Sequence, residues 1–130
     1  MNAGRFLRET SLDTDELLSL IDPIQPHRVW LRPASPLMMK LWGSGVSAIT
    51  FGNWIFVDPE ILRGDKRTLE RLVIHELVHV RQWAEFGVFG FLRTYIGDYL
   101  GGRWRRLSHR DAYLAISLET EARQIQASLT

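Results

Sequence analysis

His75 and His79 stand four residues apart, with Glu76 directly after the first, in the pentapeptide His75-Glu76-Leu77-Val78-His79. On a helix this spacing puts the two imidazoles one turn apart on one face, roughly 6 Å between Cβ atoms. Both rings can then reach one ion at about 2.0–2.1 Å, the ordinary zinc–nitrogen distance. Glu76 projects beside such an ion rather than onto it, within reach of a water held there. That is the geometry of a zinc-dependent hydrolase with Glu as general base. The plain alternative is a polar stripe on a helix. Leu72, Val73 and Ile74 before the motif and Val80 and Trp83 after it argue against that. Three ionisable groups in an apolar run are costly unless something satisfies them, and a metal does so.

Two histidines from one helix do not complete a catalytic zinc site, which takes three protein ligands and keeps one position open. The chain has no Cys. Disulfides, Cys-ligated zinc and thiol catalysis are thereby excluded. The downstream candidates for a third ligand are His109, Asp98, Asp111, Glu119 and Glu121. Glu119 is the choice among them. It lies near the start of a helix able to pack antiparallel to the motif helix, and Ala122, one turn on, permits close approach. His109 is a candidate to stabilise the oxyanion of a tetrahedral intermediate. Its alternative is an ordinary surface histidine in Ser108-His109-Arg110. Tyr113 and Tyr95 are weaker candidates for the same role and read first as core.

The motif must be held by the surrounding elements. Asp65 caps a long helix from about Lys66 to Glu85, with Leu69, Leu72, Val73, Leu77, Val80 and Ala84 as its apolar face. Gly87 ends it, a second helix spans Val88 to Leu100, and Gly101-Gly102 closes that one. A last helix covers Leu118 to Leu129, after a short helical turn near Asp111 to Ala115. Upstream, Asp13 or Thr14 caps a short helix that Pro23 stops, and Arg28 to Arg32 alternates like a strand. Leu37 to Trp42 makes a turn or two of helix, ended by Gly43-Ser44-Gly45. Val46 to Phe51 and Trp54 to Val57 form a hairpin through Gly52-Asn53, with Ile49, Phe51, Ile55 and Val57 as packing residues and an edge free to line a cleft.

A length of 130 residues fits one domain, residues 1–130, with a real core. The expected fold is α+β: a small, mainly antiparallel sheet packed on helices, with the motif helix central. A net charge of +1 gives no global field toward nucleic acid, despite the cluster Arg103, Arg105, Arg106 and Arg110. The segment Trp83 to Trp104 carries seven aromatics, Trp83, Phe86, Phe89, Phe91, Tyr95, Tyr99 and Trp104. They read as a cleft wall packed across the motif helix, with an interfacial membrane stretch as the alternative. No run reaches the roughly 18 apolar residues of a spanning helix, and the first residues lack a signal-like run. A cytoplasmic location is the expectation.

The run His75-Glu76-Leu77-Val78-His79-Val80-Arg81-Gln82 resembles the HELxHVxQ signature of small bacterial zinc-peptidase-like domains of the gluzincin type. In those domains a strand pair similar to Ala48–Val57 precedes the motif helix, and a later helix supplies a ligand Glu in an ExxA context. Glu119-Thr120-Glu121-Ala122 matches that context. The resemblance implies a zinc held by His75, His79 and Glu119, and peptidase ancestry with a peptide or protein as substrate. Larger relatives often continue ExxxD, where the Asp orients the first His. Here that position is Arg123. Glu121, Asp111 or a backbone carbonyl must then orient the ring. The rival reading is a non-catalytic binding module that keeps the fold, with or without the metal, and acts as a regulator or as a membrane-peripheral adaptor.

Overall fold

The computed structural model describes the chain except Ser11, Asp13 and the run Gly43-Ser44-Gly45. A cap at Asp13 and a glycine stop after Trp42 therefore fall outside the described residues. The elements in order are α1 (Ala3–Arg8), α2 (Thr14–Leu20), β1 (Trp30–Pro33), α3 (Pro36–Trp42), β2 (Ala48–Phe51), β3 (Trp54–Val57), α4 (Pro59–Arg63), α5 (Lys66–Trp104), α6 (His109–Leu114) and α7 (Ser117–Leu129). The class is α+β, as expected.

The sheet has the order β1-β3-β2. β2 runs antiparallel to β3, and β1 runs parallel to it. The sheet is therefore mixed rather than mainly antiparallel. The parallel register sets Leu31 beside Ile55 and Pro33 beside Val57, so Leu31, Ile55 and Val57 are buried together. Ile49 and Phe51, expected to pack in the core, are exposed on the other face of β2, and Thr50 takes the inner position. Thr50 pairs with Ile55, which is wholly buried, so the strand period of two leaves only Thr50 facing inward on the outer part of β2.

α5 starts where Asp65 accepts from the N–H groups of Arg67 and Thr68. This satisfies donors that the helix itself leaves unpaired. Val73, Ile74, Leu77 and Val78 are completely enclosed. Burial of each such side chain contributes about 1.5–3 kcal/mol. Ala84, expected on the apolar face, is exposed. The helix breaks at Gly87, whose φ of 71° and ψ of 171° belong to no helix. A side chain there would be strained by the backbone alone. The change of direction brings Phe91 onto Trp83, with ring centroids 4.3 Å apart and planes 12° from parallel. Beyond the break the helix runs through Gly101 and Gly102 to Trp104 instead of stopping at the glycines. Gly102 serves packing: a Cβ there would lie 3.0 Å from the Cα of Ala112, so α6 crosses α5 at backbone contact.

Of the seven aromatics in Trp83–Trp104, Trp83, Phe91, Tyr95 and Tyr99 form the expected wall with Ile116 and Leu118. Phe86, Phe89 and Trp104 are exposed. Among the described residues no helix is long and apolar enough to cross a membrane.

Candidate metal centre

α7 lies antiparallel against the first half of α5. Gln126 meets His75, Glu119 meets His79, and Leu118 meets Gln82, so one helix descends as the other rises. Ala122 is wholly buried between them. This packing delivers Glu119 to the histidine pair. His75 Nε2 is 2.9 Å from Glu119 Oε2, and His79 Nε2 is 3.1 Å from Glu119 Oε1. In a tetrahedral zinc site with bonds of 2.0–2.2 Å, donor atoms stand about 3.3 Å apart. Each histidine nitrogen is thus within a few tenths of an ångström of that separation from its own Glu119 oxygen, and a nitrogen–nitrogen–carboxylate set suits zinc. One donor atom from each of His75, Glu76 and His79 also lies within 4.8 Å of the others.

The outer ring atoms decide which nitrogen is free. Gln82 Nε2 donates to the carbonyl of Leu118 at 3.0 Å and to Glu121 Oε1 at 2.9 Å. Both partners only accept, so the amide orientation is fixed and Gln82 Oε1 must face His79 Nδ1, at 2.7 Å. His79 Nδ1 therefore carries a proton, and Nε2 is the nitrogen turned to the centre. His75 Nδ1 lies 3.3 Å from Gln126 Oε1, a similar but looser arrangement. Neither Gln82 nor Gln126 was expected in this role. Gln82 is the last residue of the HELxHVxQ run. Gln126 is seven residues after Glu119, which returns it to the same helix face.

Glu121, an expected substitute for the missing Asp, does other work. Glu121 faces away from the histidines and pairs with Arg81 and Gln82. Arg123 bonds the Leu114 carbonyl and the Thr120 hydroxyl, tying α7 to the end of α6. Tyr95, read first as core, donates to Glu119 Oε1 at 2.9 Å.

Electrostatics follow from these contacts. Burial raises the pKa of Glu119, but hydrogen bonds from His75 and His79 outweigh it and hold the carboxyl far below the usual range. Burial likewise opposes a charge on His79, yet the Glu119 hydrogen bond and the nearby carboxylates draw its pKa above the ordinary imidazole value. Tyr95 and Tyr113 are both pushed up, first by burial and then by the charge of Glu119. Both remain protonated donors at any physiological pH.

Glu76 is buried, and Thr50 Oγ1 donates to its Oε2 at 2.6 Å. Thr50 also accepts from Trp83 Nε1 through its carbonyl, at 3.1 Å. Two clefts meet over Glu76 and Tyr113. One, of about 620 Å³, is lined by Arg71, His75, His109 and Arg110 among others. The other, of about 380 Å³, has Phe51, Trp83, Phe91 and Tyr95 in its wall. Ala48 on β2 lines both. His109 stands in the rim of the first cleft. It is exposed, and its Nδ1 is 2.7 Å from the Tyr99 hydroxyl. Tyr113, itself 40% exposed, lines both clefts, near both Glu119 and Glu76. The chain matches no protein-family model, no curated protein and no solved structure, so the reading of this centre rests on its own geometry.

Proposed function

We propose that this protein is a zinc-dependent metallopeptidase. The observation that carries the reading is the convergence of His75 Nε2, His79 Nε2 and the Glu119 carboxylate at 2.9–3.1 Å, with the Glu76 carboxylate beside them at the meeting point of two clefts. His75, His79 and Glu119 hold the ion. Zinc so held supplies a Lewis acid that polarises a peptide carbonyl and acidifies water.

The chain's own groups do the rest. Glu76 takes a proton from the attacking water. It then gives that proton to the amine as the carbon–nitrogen bond breaks, leaving a carboxylate and a free amine. Thr50 occupies Oε2 and so orients the group, leaving Oε1 as the base. Tyr113, rather than the rim residue His109, donates a hydrogen bond to the carbonyl oxygen as negative charge gathers there. An extended peptide lies along β2. Asp58 N–H bonds the Ser47 carbonyl, and the Gly52-Asn53 turn joins Phe51 to Trp54. Ala48 and Thr50 therefore turn their backbone groups away from β3. The Thr50 carbonyl is taken by Trp83, and the Ala48 N–H and C=O and the Thr50 N–H remain for a substrate strand. Absence of Cys fits a cytoplasmic setting.

Glu76→Gln tests the reading. Zinc occupancy and folding should persist, while cleavage of a diverse peptide pool, followed by mass spectrometry, should fall by about 10²–10⁴-fold. Undiminished cleavage in the zinc-loaded variant removes the general-base role. A wild-type protein that binds zinc and cleaves nothing is instead a zinc-holding binding module.

A further inference from the structure

The helix beyond Gly87 has a second face that the metal centre does not use. Phe91, Tyr95 and Tyr99 point inward to the cleft wall. Phe89, Ile96 and Leu100 point away from that wall, within an arc of about 40° at 100° per residue, while Leu92 lines the second cleft. Phe89 is 88% exposed, Leu100 58% and Ile96 51%. Trp104, 89% exposed, extends the same ridge at its far end. From Phe89 to Trp104 the ridge is about 22 Å long. A continuous apolar strip of this kind marks a contact surface rather than scattered surface residues.

Its charges say what kind of surface. Arg93 sits within the ridge, and Arg103, Arg105 and Arg106 crowd its end, all exposed. The acid nearest in sequence, Asp98, is turned inward, where it accepts from the backbone N–H and hydroxyl of Ser117. The ridge thus presents cations beside apolar side chains, with no carboxylate of residues 88–104 among them. A second copy docked face to face would set arginines against arginines without a counter-charge. Nucleic acid would meet the cations but gain nothing from the apolar strip. A bilayer with anionic headgroups answers both features at once.

We propose that residues 88–104 form an interfacial anchor that lays the domain on an anionic phospholipid surface. Phe89, Ile96, Leu100 and Trp104 enter the acyl boundary, and Arg93, Arg103, Arg105 and Arg106 engage the headgroup phosphates. The helix lies in the plane of the surface and does not span it.

The test is co-sedimentation of the full chain with vesicles of phosphatidylcholine containing phosphatidylglycerol, against phosphatidylcholine alone. The protein should sediment with the anionic vesicles. Partitioning should fall about tenfold or more without the anionic lipid, or with Arg93→Gln combined with Arg105→Gln. It should fall comparably when salt rises from about 0.1 M to about 1 M, which shortens the screening length from about 10 Å to about 3 Å. Phe89→Ser with Ile96→Ser should abolish it while the circular dichroism and zinc content stay unchanged, since neither residue touches the core or the metal centre. No sedimentation with anionic vesicles overturns the proposal, as does sedimentation that the ridge variant retains. A solution dimer that the ridge variant dissolves, without vesicle binding, assigns the face to a second copy instead.

Discussion

Gln82 stands between His79 and Glu121, with its Oε1 2.7 Å from the His79 Nδ1 and its Nε2 2.9 Å from the Glu121 carboxylate. Glu121 therefore acts on the centre at one remove: it fixes the amide, and the amide fixes the ring. Two acidic residues two positions apart, Glu119 and Glu121, thus both act on His79, Glu119 directly and Glu121 through Gln82. They point about 200° apart around α7.

The first expectation is a division of labour between them. Wild-type protein should carry about one zinc per chain, and His75→Ala or His79→Ala should lose most of it. Glu119→Ala should weaken binding as strongly as loss of a histidine. Glu121→Ala should weaken it far less. Chelator competition reads both, and the reverse ranking would reassign the third ligand to Glu121.

Loss of the ring-orienting amides should be felt in affinity before activity. Gln126→Leu removes the only side-chain partner of His75 Nδ1 among the described residues. Zinc affinity should drop by roughly 10–100-fold, as for other partners of ligand histidines. Gln82→Leu should do the same and also lower thermal stability, because Gln82 is wholly buried and its amide serves the carbonyl of Leu118. Unchanged affinity in both variants would show that the rings are held by packing alone.

Tyr113→Phe and His109→Ala separate two donors. If Tyr113 stabilises the transition state, its phenylalanine variant should lose about 10²–10³-fold in kcat with zinc content unaltered. His109→Ala should stay within a few-fold of wild type. A large kcat loss in His109→Ala alone would return the role to the rim.

The cap of the motif helix sets a pH dependence. The hydroxyl of Thr68, then the N–H groups of Thr68 and Arg67, lower the pKa of Asp65. A carboxyl whose folded pKa is depressed adds stability above its unfolded value, and that stability is lost as pH falls through the folded one. Asp65→Ala should therefore melt at a lower temperature than wild type near neutral pH. The difference should shrink as pH falls below the ordinary carboxylate range and Asp65 takes up its proton. A gap in melting temperature that is constant across this range would point to backbone effects instead.

Much of the centre was legible because local signals carried it. The pair His75 and His79 needs only a helix, Asp65 marks where that helix starts, and Gly87 marks its break. Gly52-Asn53 between apolar runs announced the β2–β3 hairpin. The C-terminal helix was placed to within one residue, and Glu119 came with it. The misses are of two kinds. Pairing of β1 with β3 is a long-range choice made by joint burial of Leu31 and Ile55, which no short window displays. The helix α4 is absent from the sequence reading although Asp58 caps it and Pro59 opens it. Gln126 was missed because its partner lies 51 residues away.

Gly87 makes the second half of α5 a lever. Tyr95 sits eight residues beyond it, about 12 Å along the helix, and Trp104 seventeen residues beyond, about 26 Å. If the rod tilts about that glycine, each 2 Å of travel at the tip arrives as roughly 1 Å at the Tyr95 hydroxyl, which holds Glu119. A misplacement of about 1 Å at a reacting centre is enough to change a rate a hundredfold. Under such a tilt, pressure on the outer ridge would reach the carboxylate between the two histidines geared down by half.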